Sequence, residues 1–366
     1  MKRLSILLIL SVLAGTACWP FGDDQVLAEM TIRRQSGGVV TIVRGSEQIP
    51  VTDEDVPLQS GDIIRTAKNG VANLRLEGDR QAWIAQVGDT GLGTESRVVG
   101  TDALEGRSGT IVAEAVEPMR VRFGDVVAIG SDAIFRVDQR AGAARAASYD
   151  GSVRLTAPGE AAVTMDRLKE VQASAGDLRT ARPYQLDPND PFDRQELRAV
   201  ITLQAELDVL ASALQSQLGK QRPTLRYFRV LADHNVAAMK PYLRRTPSDL
   251  LTAFTIATNT EARPFETAIK EAFSLRDDGG EWGVVAAILE ADPRLLLADL
   301  QDMIVATGAV AAGEGDTAEF TLAAAEAADQ STTVSEPPPD GGDPGDGGDN
   351  GGGGDGGGGG DGDNPP

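Results

Sequence analysis

The sequence predicts an α+β protein of several domains: an all-β N-terminal domain of many short strands, sandwich- or solenoid-like, an α-helical C-terminal domain and a disordered tail. Three observations predict it. Over residues 30–182 apolar and polar residues alternate in short runs separated by Gly, Asp and Asn. Over residues 183–328 the apolar spacing lengthens to three and four, the helical period. From residue 336 onward apolar side chains are absent.

Before the β part comes a segment with the layout of a secretory signal. Met1-Lys2-Arg3 is a short basic region, residues 4–13 are mostly apolar, and Ala14-Gly15-Thr16-Ala17 supplies small residues before Cys18. The apolar run is too short to span a bilayer, and no other stretch approaches the length a membrane helix needs. Cys18 is the only cysteine in the chain, and Leu13-Ala14-Gly15-Thr16-Ala17-Cys18 resembles a lipobox, with Gly15 where leucine is usual. Two readings stand. In one, residues 1–17 are removed and Cys18 is lipidated, which anchors the protein stably through paired acyl chains. In the other, an ordinary signal peptidase cuts after Ala17. A lone thiol in an oxidising compartment favours the first. Residues 18–29 then form a linker. Loss of Lys2 and Arg3 takes the formal charge from −21 to −23, which argues against a nucleic-acid partner.

The β part opens with Val39-Val40-Thr41-Ile42-Val43, followed by Ile63-Ile64-Arg65-Thr66 and Ala72-Asn73-Leu74-Arg75-Leu76. In the last run Ala72, Leu74 and Leu76 share one face and Asn73 and Arg75 the other, the pattern of a half-buried strand. Val121/Phe123, Phe135/Val137 and Val153/Leu155 repeat it, each pair split by one polar residue. Ser60-Gly61-Asp62, Lys68-Asn69-Gly70, Glu77-Gly78-Asp79 and Tyr149-Asp150-Gly151 read as turns. A core of this kind in some 150 residues is expected to fold without the rest of the chain.

The order of these pieces resembles the FecR domain family. Gly38-Val39-Val40 with Arg44-Gly45 is similar to its opening strand and turn. Leu58-Gln59-Ser60-Gly61-Asp62-Ile63-Ile64-Arg65-Thr66 resembles its Leu-x-x-Gly-Asp element, and residues 70–78 its following hairpin. Leu104-Glu105-Gly106-Arg107-Ser108-Gly109 stands at the next step, and Ala133-Ile134-Phe135-Arg136-Val137 with Tyr149-Asp150-Gly151-Ser152-Val153-Arg154-Leu155 resembles the closing pair. Well-known members straddle the inner membrane of Gram-negative bacteria and relay siderophore uptake to a sigma factor, with a cytoplasmic helical segment and a membrane helix ahead of the β domain. Here a signal-like segment leads almost directly into the β part. What the resemblance implies is therefore an extracytoplasmic β scaffold for protein contact, without the sigma-factor role.

In the helical part Asp190-Pro191-Phe192-Asp193 is a start signal: Asp190 caps, Pro191 fits the first position, and Asp193 favours the positive helix end. Val200, Leu203, Leu207, Leu210 and Leu214 follow at 3–4 spacing until Gly219. This seam suits either a coiled-coil dimer or the core face of the chain's own bundle, and Leu197, Ile201 and Leu218 widen it in favour of the bundle. Thr246-Pro247-Ser248-Asp249 repeats the start device. Asp292-Pro293 opens a helix with Leu295, Leu296, Leu300, Met303 and Ile304, which Gly308 is expected to close. Four to six helices are expected in all. Residues 329–366 form an acidic Gly/Asp/Pro-rich tail; with 15 glycines, 6 prolines and no apolar residue in 336–366, nothing offsets the entropy of ordering it.

Chemistry-bearing patterns are sparse, and no catalytic, cofactor-binding or metal residue is assigned. His234, the single histidine, has no His or Cys partners for a metal and no Gly-x-Ser-x-Gly elbow beside it for a triad. Gly88-Asp89-Thr90-Gly91-Leu92-Gly93 lacks the third glycine and strand-to-helix setting of a dinucleotide loop. Asp53-Glu54-Asp55 reads as a solvated polar loop, whereas acid catalysis needs a buried carboxyl. No stretch fits an EF-hand, and the tail's Gly-Gly-Asp text lacks the apolar residue of calcium-binding repeats. The expectation is a non-catalytic lipoprotein of the bacterial cell envelope, facing the periplasm or exterior, that serves as a protein-interaction or signal-sensing scaffold for other envelope proteins. The alternative is a structural or adhesive module contacting cell-wall or extracellular polymer, for which 3 Trp and 4 Tyr are few.

Overall fold

The computed structural model describes residues 30–85, 94–140, 143–174, 177–218 and 236–311. The signal-like segment with Cys18, the Gly88–Gly93 loop, Gly219, His234 and the tail lie outside the described residues.

The N-terminal region is one large mixed sheet. Its main path runs from Lys169–Ser174 through Ala143–Thr156, Val126–Arg140, Met119–Phe123, Ala103–Ala115, Arg80–Ala85 and Val71–Leu76 to Thr31–Ser36. Pairing is antiparallel along it except between Met119–Phe123 and Ala103–Ala115. Strands far apart in this order supply one apolar core: Ile32, Ile64, Leu74, Phe123, Phe135 and Val153 all belong to it. The sheet therefore curls around its own interior. At one point the packing is so close that a Cβ on Gly106 would overlap the Phe123 ring.

Local patterns place the strands well. Ile63–Thr66 and Val71–Leu76 are strands, and Glu77, Gly78 and Asp79 form the tight link from Leu76 to Arg80. Tyr149-Asp150-Gly151 is not a turn. It lies within the strand Ala143–Thr156, where Gly151 at φ +73° faces the Asp132 carbonyl and the register against Val126–Arg140 shifts. Asp132 itself has φ +48°. Both long strands bend together there, so the glycine serves a bulge and not a chain reversal.

Six α-helices follow among the described residues: α1 (Pro191–Glu196), α2 (Arg198–Leu218), α3 (Pro247–Thr258), α4 (Phe265–Asp277), α5 (Trp282–Ile288) and α6 (Pro293–Ala311), with a 3-10 segment Val236–Tyr242 before α3. Their starts rest on local chemistry. Asp190 accepts from the backbone N–H of Phe192 and Asp193, Thr246 from Asp249, and Asp292 from Arg294 and Leu295. Helix α6 runs through Gly308, which does not close it. Leu203, Leu207, Leu214 and Leu218 pack with Phe254, Phe273 and Met303 in a helical core, so the seam of α2 is spent inside its own bundle.

A third cluster joins the two halves. Val112, Tyr149 and Leu168 from the sheet pack against Phe192, Leu197, Val200 and Val284 from the helices. The expectation that the β part stands by itself meets this fact: one face of its central strands is a buried interface.

Candidate functional site

That interface has a polar centre. On Val126–Arg140, Phe135 and Val137 point into the sheet's core, so Arg136 and Asp138 point the other way, toward the helices. The alternation that suggested a solvated face is real, but α1 and α2 cover it. The Arg136 side chain is 2% exposed.

Arg136 is the hub of this centre. Its Nε donates to both carboxylate oxygens of Asp138, at 2.8 and 2.9 Å. Its Nη1 lies 2.8 Å from Asp190 Oδ2 and 3.3 Å from Asp193 Oδ1, and donates to the Tyr149 hydroxyl at 3.2 Å. Asp190 thus divides its oxygens: Oδ1 caps α1 and Oδ2 holds the arginine. Asp193 Oδ1 also accepts from the hydroxyls of Tyr149 at 2.7 Å and Tyr184 at 2.6 Å, and its Oδ2 from the backbone N–H of Asp187. Thr110 Oγ1 donates to Asp138 at 2.6 Å.

Burial alone would weaken the guanidinium's hold on its proton; the surrounding anionic groups, Asp138 foremost, reverse this and raise its pKa. Burial also raises the Tyr149 and Tyr184 phenols, which stay neutral donors. The Asp193 carboxyl is raised above the usual carboxylate value by burial, against hydrogen bonds from Tyr184, Asp187 and Tyr149 and the charge of Arg136.

A second ion-pair group lies beside the first. Glu170, buried on Lys169–Ser174, is gripped by Arg145 at 2.6 Å and Arg182 at 2.7 Å. Arg145 stacks on Tyr184 at 4.7 Å and reaches Asp138 at 3.8 Å. These groups line a groove of about 470 Å³ that Arg179 and Gln185 also border. Elsewhere along the junction, Arg167 from the sheet and the ends of α2, α3, α5 and α6 enclose a larger groove of about 710 Å³.

Chemically, the hub is self-satisfied: each buried charge faces an opposite charge or a neutral donor. Among the described residues no group of three His, Cys, Asp or Glu side chains could hold a metal ion, and no helix is long and apolar enough to cross a membrane. Asp53, Glu54 and Asp55 are exposed, as expected of a solvated loop. Cys18 and His234 fall outside the described residues.

Sequence reading had Asp190 and Asp193 as helix-start residues and missed their inward role. It placed Arg136 and Tyr149 only in the family-like strand pair, with Tyr149 in a turn, gave neither a site role, and assigned nothing to Tyr184 or Glu170. One signal was present: Arg136-x-Asp138 puts opposite charges on one strand face, and Asp190-x-x-Asp193 puts two carboxylates on one helical turn.

No family model matches the chain, and no curated protein matches it. Among solved structures, two crystal structures of a candidate anti-sigma factor from Parabacteroides distasonis are similar to part of it. The first is 14% identical over 31% of this chain and 55% of its own, with a TM-score of 0.26. The second is 14% identical over 34% of this chain and 61% of its own, with a TM-score of 0.28. The chain thus spans little more than half the length of those structures.

Proposed function

We propose that this protein is a non-catalytic scaffold of the bacterial cell envelope, anchored through a lipid on Cys18, whose FecR-like β domain and helical domain together present a surface to other envelope proteins. The observation that carries this reading is the Arg136 hub. Four partners from two strands and a helix start are spent on one buried guanidinium, which ties sheet to helices. A buried, fully paired network of this kind favours one arrangement of its elements over others, and holding two surfaces in fixed relation is what a scaffold needs. The acidic composition agrees with a protein or basic-peptide partner more than with a polyanion. A polymer-binding surface calls for exposed aromatic rings, whereas among the described Trp and Tyr residues Tyr149, Tyr184 and Trp282 are buried and Trp83 and Tyr242 are half-buried.

The test has two arms. Metabolic labelling with a palmitate analogue should tag the wild type and not Cys18→Ser, which should also leave the membrane fraction. In-cell cross-linking with mass spectrometry should join the wild type to a reproducible envelope protein. Equal labelling of both forms would remove the anchor from the proposal, and the absence of any cross-linked protein would remove the scaffold role.

A further inference from the structure

We propose that the 710 Å³ groove at the junction is a docking site for a partner segment that carries an apolar side chain flanked by lysine or arginine. This deepens the scaffold reading and rests on it. The groove's volume lies in the range of preformed ligand sites. Its apolar lining comes from Val200 and Leu203 of α2, Ala287 of α5, and Ala262 and Ala291 of the loops beside α3 and α6. Three carboxylates, Glu261, Glu290 and Asp292, also line it. Arg167 is the single guanidinium among the lining residues, and Asp150 holds it at 3.4 Å. The excess charge of the groove is therefore negative, and an apolar segment bearing cations fits both features at once.

The walls are set before any partner arrives. Thr260 and Ala291 form an isolated antiparallel bridge, and the Asp292 N–H donates to the Asn259 carbonyl at 3.0 Å. The Asn259 amide in turn donates to Asp299 at 2.7 Å. Glu290 takes φ +58° where the chain leaves α5, which turns it back toward α6. Held in this way, the groove loses little conformational freedom on binding. Its lining joins residues from four helix ends to Arg167 of the sheet region, so it exists only while the junction is assembled.

The test uses fluorescein-labelled dodecapeptides in which a central Leu-Phe pair is flanked by lysine, serine or glutamate. Fluorescence anisotropy is read against the purified full chain at low salt. The lysine-flanked peptide should bind at least tenfold more tightly than the glutamate-flanked one. The double variant Glu261→Lys/Glu290→Lys should lose at least tenfold of that affinity. So should Ala262→Trp, which fills the groove from an exposed position and keeps the test decisive if charge reversal impairs folding. Equal binding of the three peptides, no binding of the lysine peptide, or affinity unchanged in both variants would overturn the proposal. Self-association abolished by Ala262→Trp, without peptide binding, would assign the groove to a second copy of this chain and overturn it too. The assay needs neither anchor nor cellular partner, so its failure leaves the cross-linking result of the scaffold reading untouched, and the reverse holds as well.

Discussion

The two faces of the strand Val126–Arg140 are buried by opposite means. On the inner face Phe135 and Val137 join a core built from apolar side chains across the whole sheet. On the outer face, Arg136 and Asp138 are buried just as deeply, in a lattice of ion pairs under the helices. The apolar face draws its stability from area removed from water, which is non-directional and tolerates exchanges of similar volume. The polar face works differently. Desolvating its charges costs several kcal/mol per ion, and their mutual attraction repays this only when every partner is in place. It therefore fixes the arrangement of helices on sheet without being a large net source of stability.

The sharpest way to break this comparison is Arg136→Met. The side chain is similar in reach, yet it leaves Asp190 and Asp193 buried without their cation and Asp138 with only Arg145 at 3.8 Å, and a loss of about 3–5 kcal/mol is expected. On the inner face of the same sheet, Phe123→Leu should cost less, since much of the apolar contact is retained and no buried charge is left unpaired. Urea unfolding of both variants measures the difference. Limited proteolysis adds a second reading: Arg136→Met should expose cleavage between the sheet and α1, while Phe123→Leu should not. Equal costs, or identical digestion patterns, would mean that the polar face is no more exacting than the apolar one.

Next in size is Gly106→Ala on the inner face. A Cβ there overlaps the Phe123 ring, so the aromatic must leave its place and about 1–3 kcal/mol should be lost. Combining the change with Phe123→Leu should recover part of the loss, because the leucine lacks the ring atoms that collide. A double-mutant cycle by urea unfolding reports this directly, and strict additivity would show that the two residues do not meet.

These contrasts also show which parts of the fold the sequence carried in plain form. Strands such as Val71–Leu76 and caps such as Asp190, Thr246 and Asp292 were legible because their causes are local: alternation along a few residues, or one side chain reaching a backbone N–H three residues on. Arg136 was not. A lone arginine between Phe135 and Val137 looks like a solvent-facing residue unless one knows that a helix start some fifty residues later folds onto it. Tyr149-Asp150-Gly151 misled for a related reason: a positive-φ glycine serves a bulge as well as a turn, and only the partner strand decides. The larger groove was wholly hidden, since it joins Val200 to Asp292 and both to Arg167, and no short-range pattern records such a meeting.

A smaller effect is expected from pH, and here the hub has a definite sign. Burial raises the folded-state pKa of Asp193 above its unfolded value, so the folded chain binds a proton more readily than the unfolded one. Its contribution is fully present below the unfolded value, about 3.9, and is lost as pH rises through the folded one. Asp193→Asn removes this titration. Wild type should therefore gain on the variant as pH falls from 7 toward 4, in a comparison of Tm at half-unit steps. A gap that stays constant would show that Asp193 titrates alike in both states.

The smallest effect belongs to the surface of the same sheet and runs the opposite way. Glu95 is partly buried, which alone would raise its pKa, but hydrogen bonds from Arg65 at 3.0 Å and Arg107 at 2.6 Å outweigh this and lower it. The folded state thus holds the Glu95 proton less tightly than the unfolded chain. Its contribution is present above the unfolded value, about 4.3, and disappears as pH falls through the lowered folded one. Both arginines are about half exposed, so water and salt screen the interaction, and Glu95→Gln should cost only about 0.2–1 kcal/mol at pH 7. That cost should shrink in 0.5 M salt and fade as pH falls through the lowered folded value, whereas the cost of Arg136→Met should be nearly unmoved by salt because its ion pairs are sealed from solvent. Chemical unfolding of both variants at low and high salt is the measurement. If salt relieved the Arg136 variant as strongly as the Glu95 variant, the buried hub would be behaving as a surface pair, and the distinction between the two regions would fail at its root.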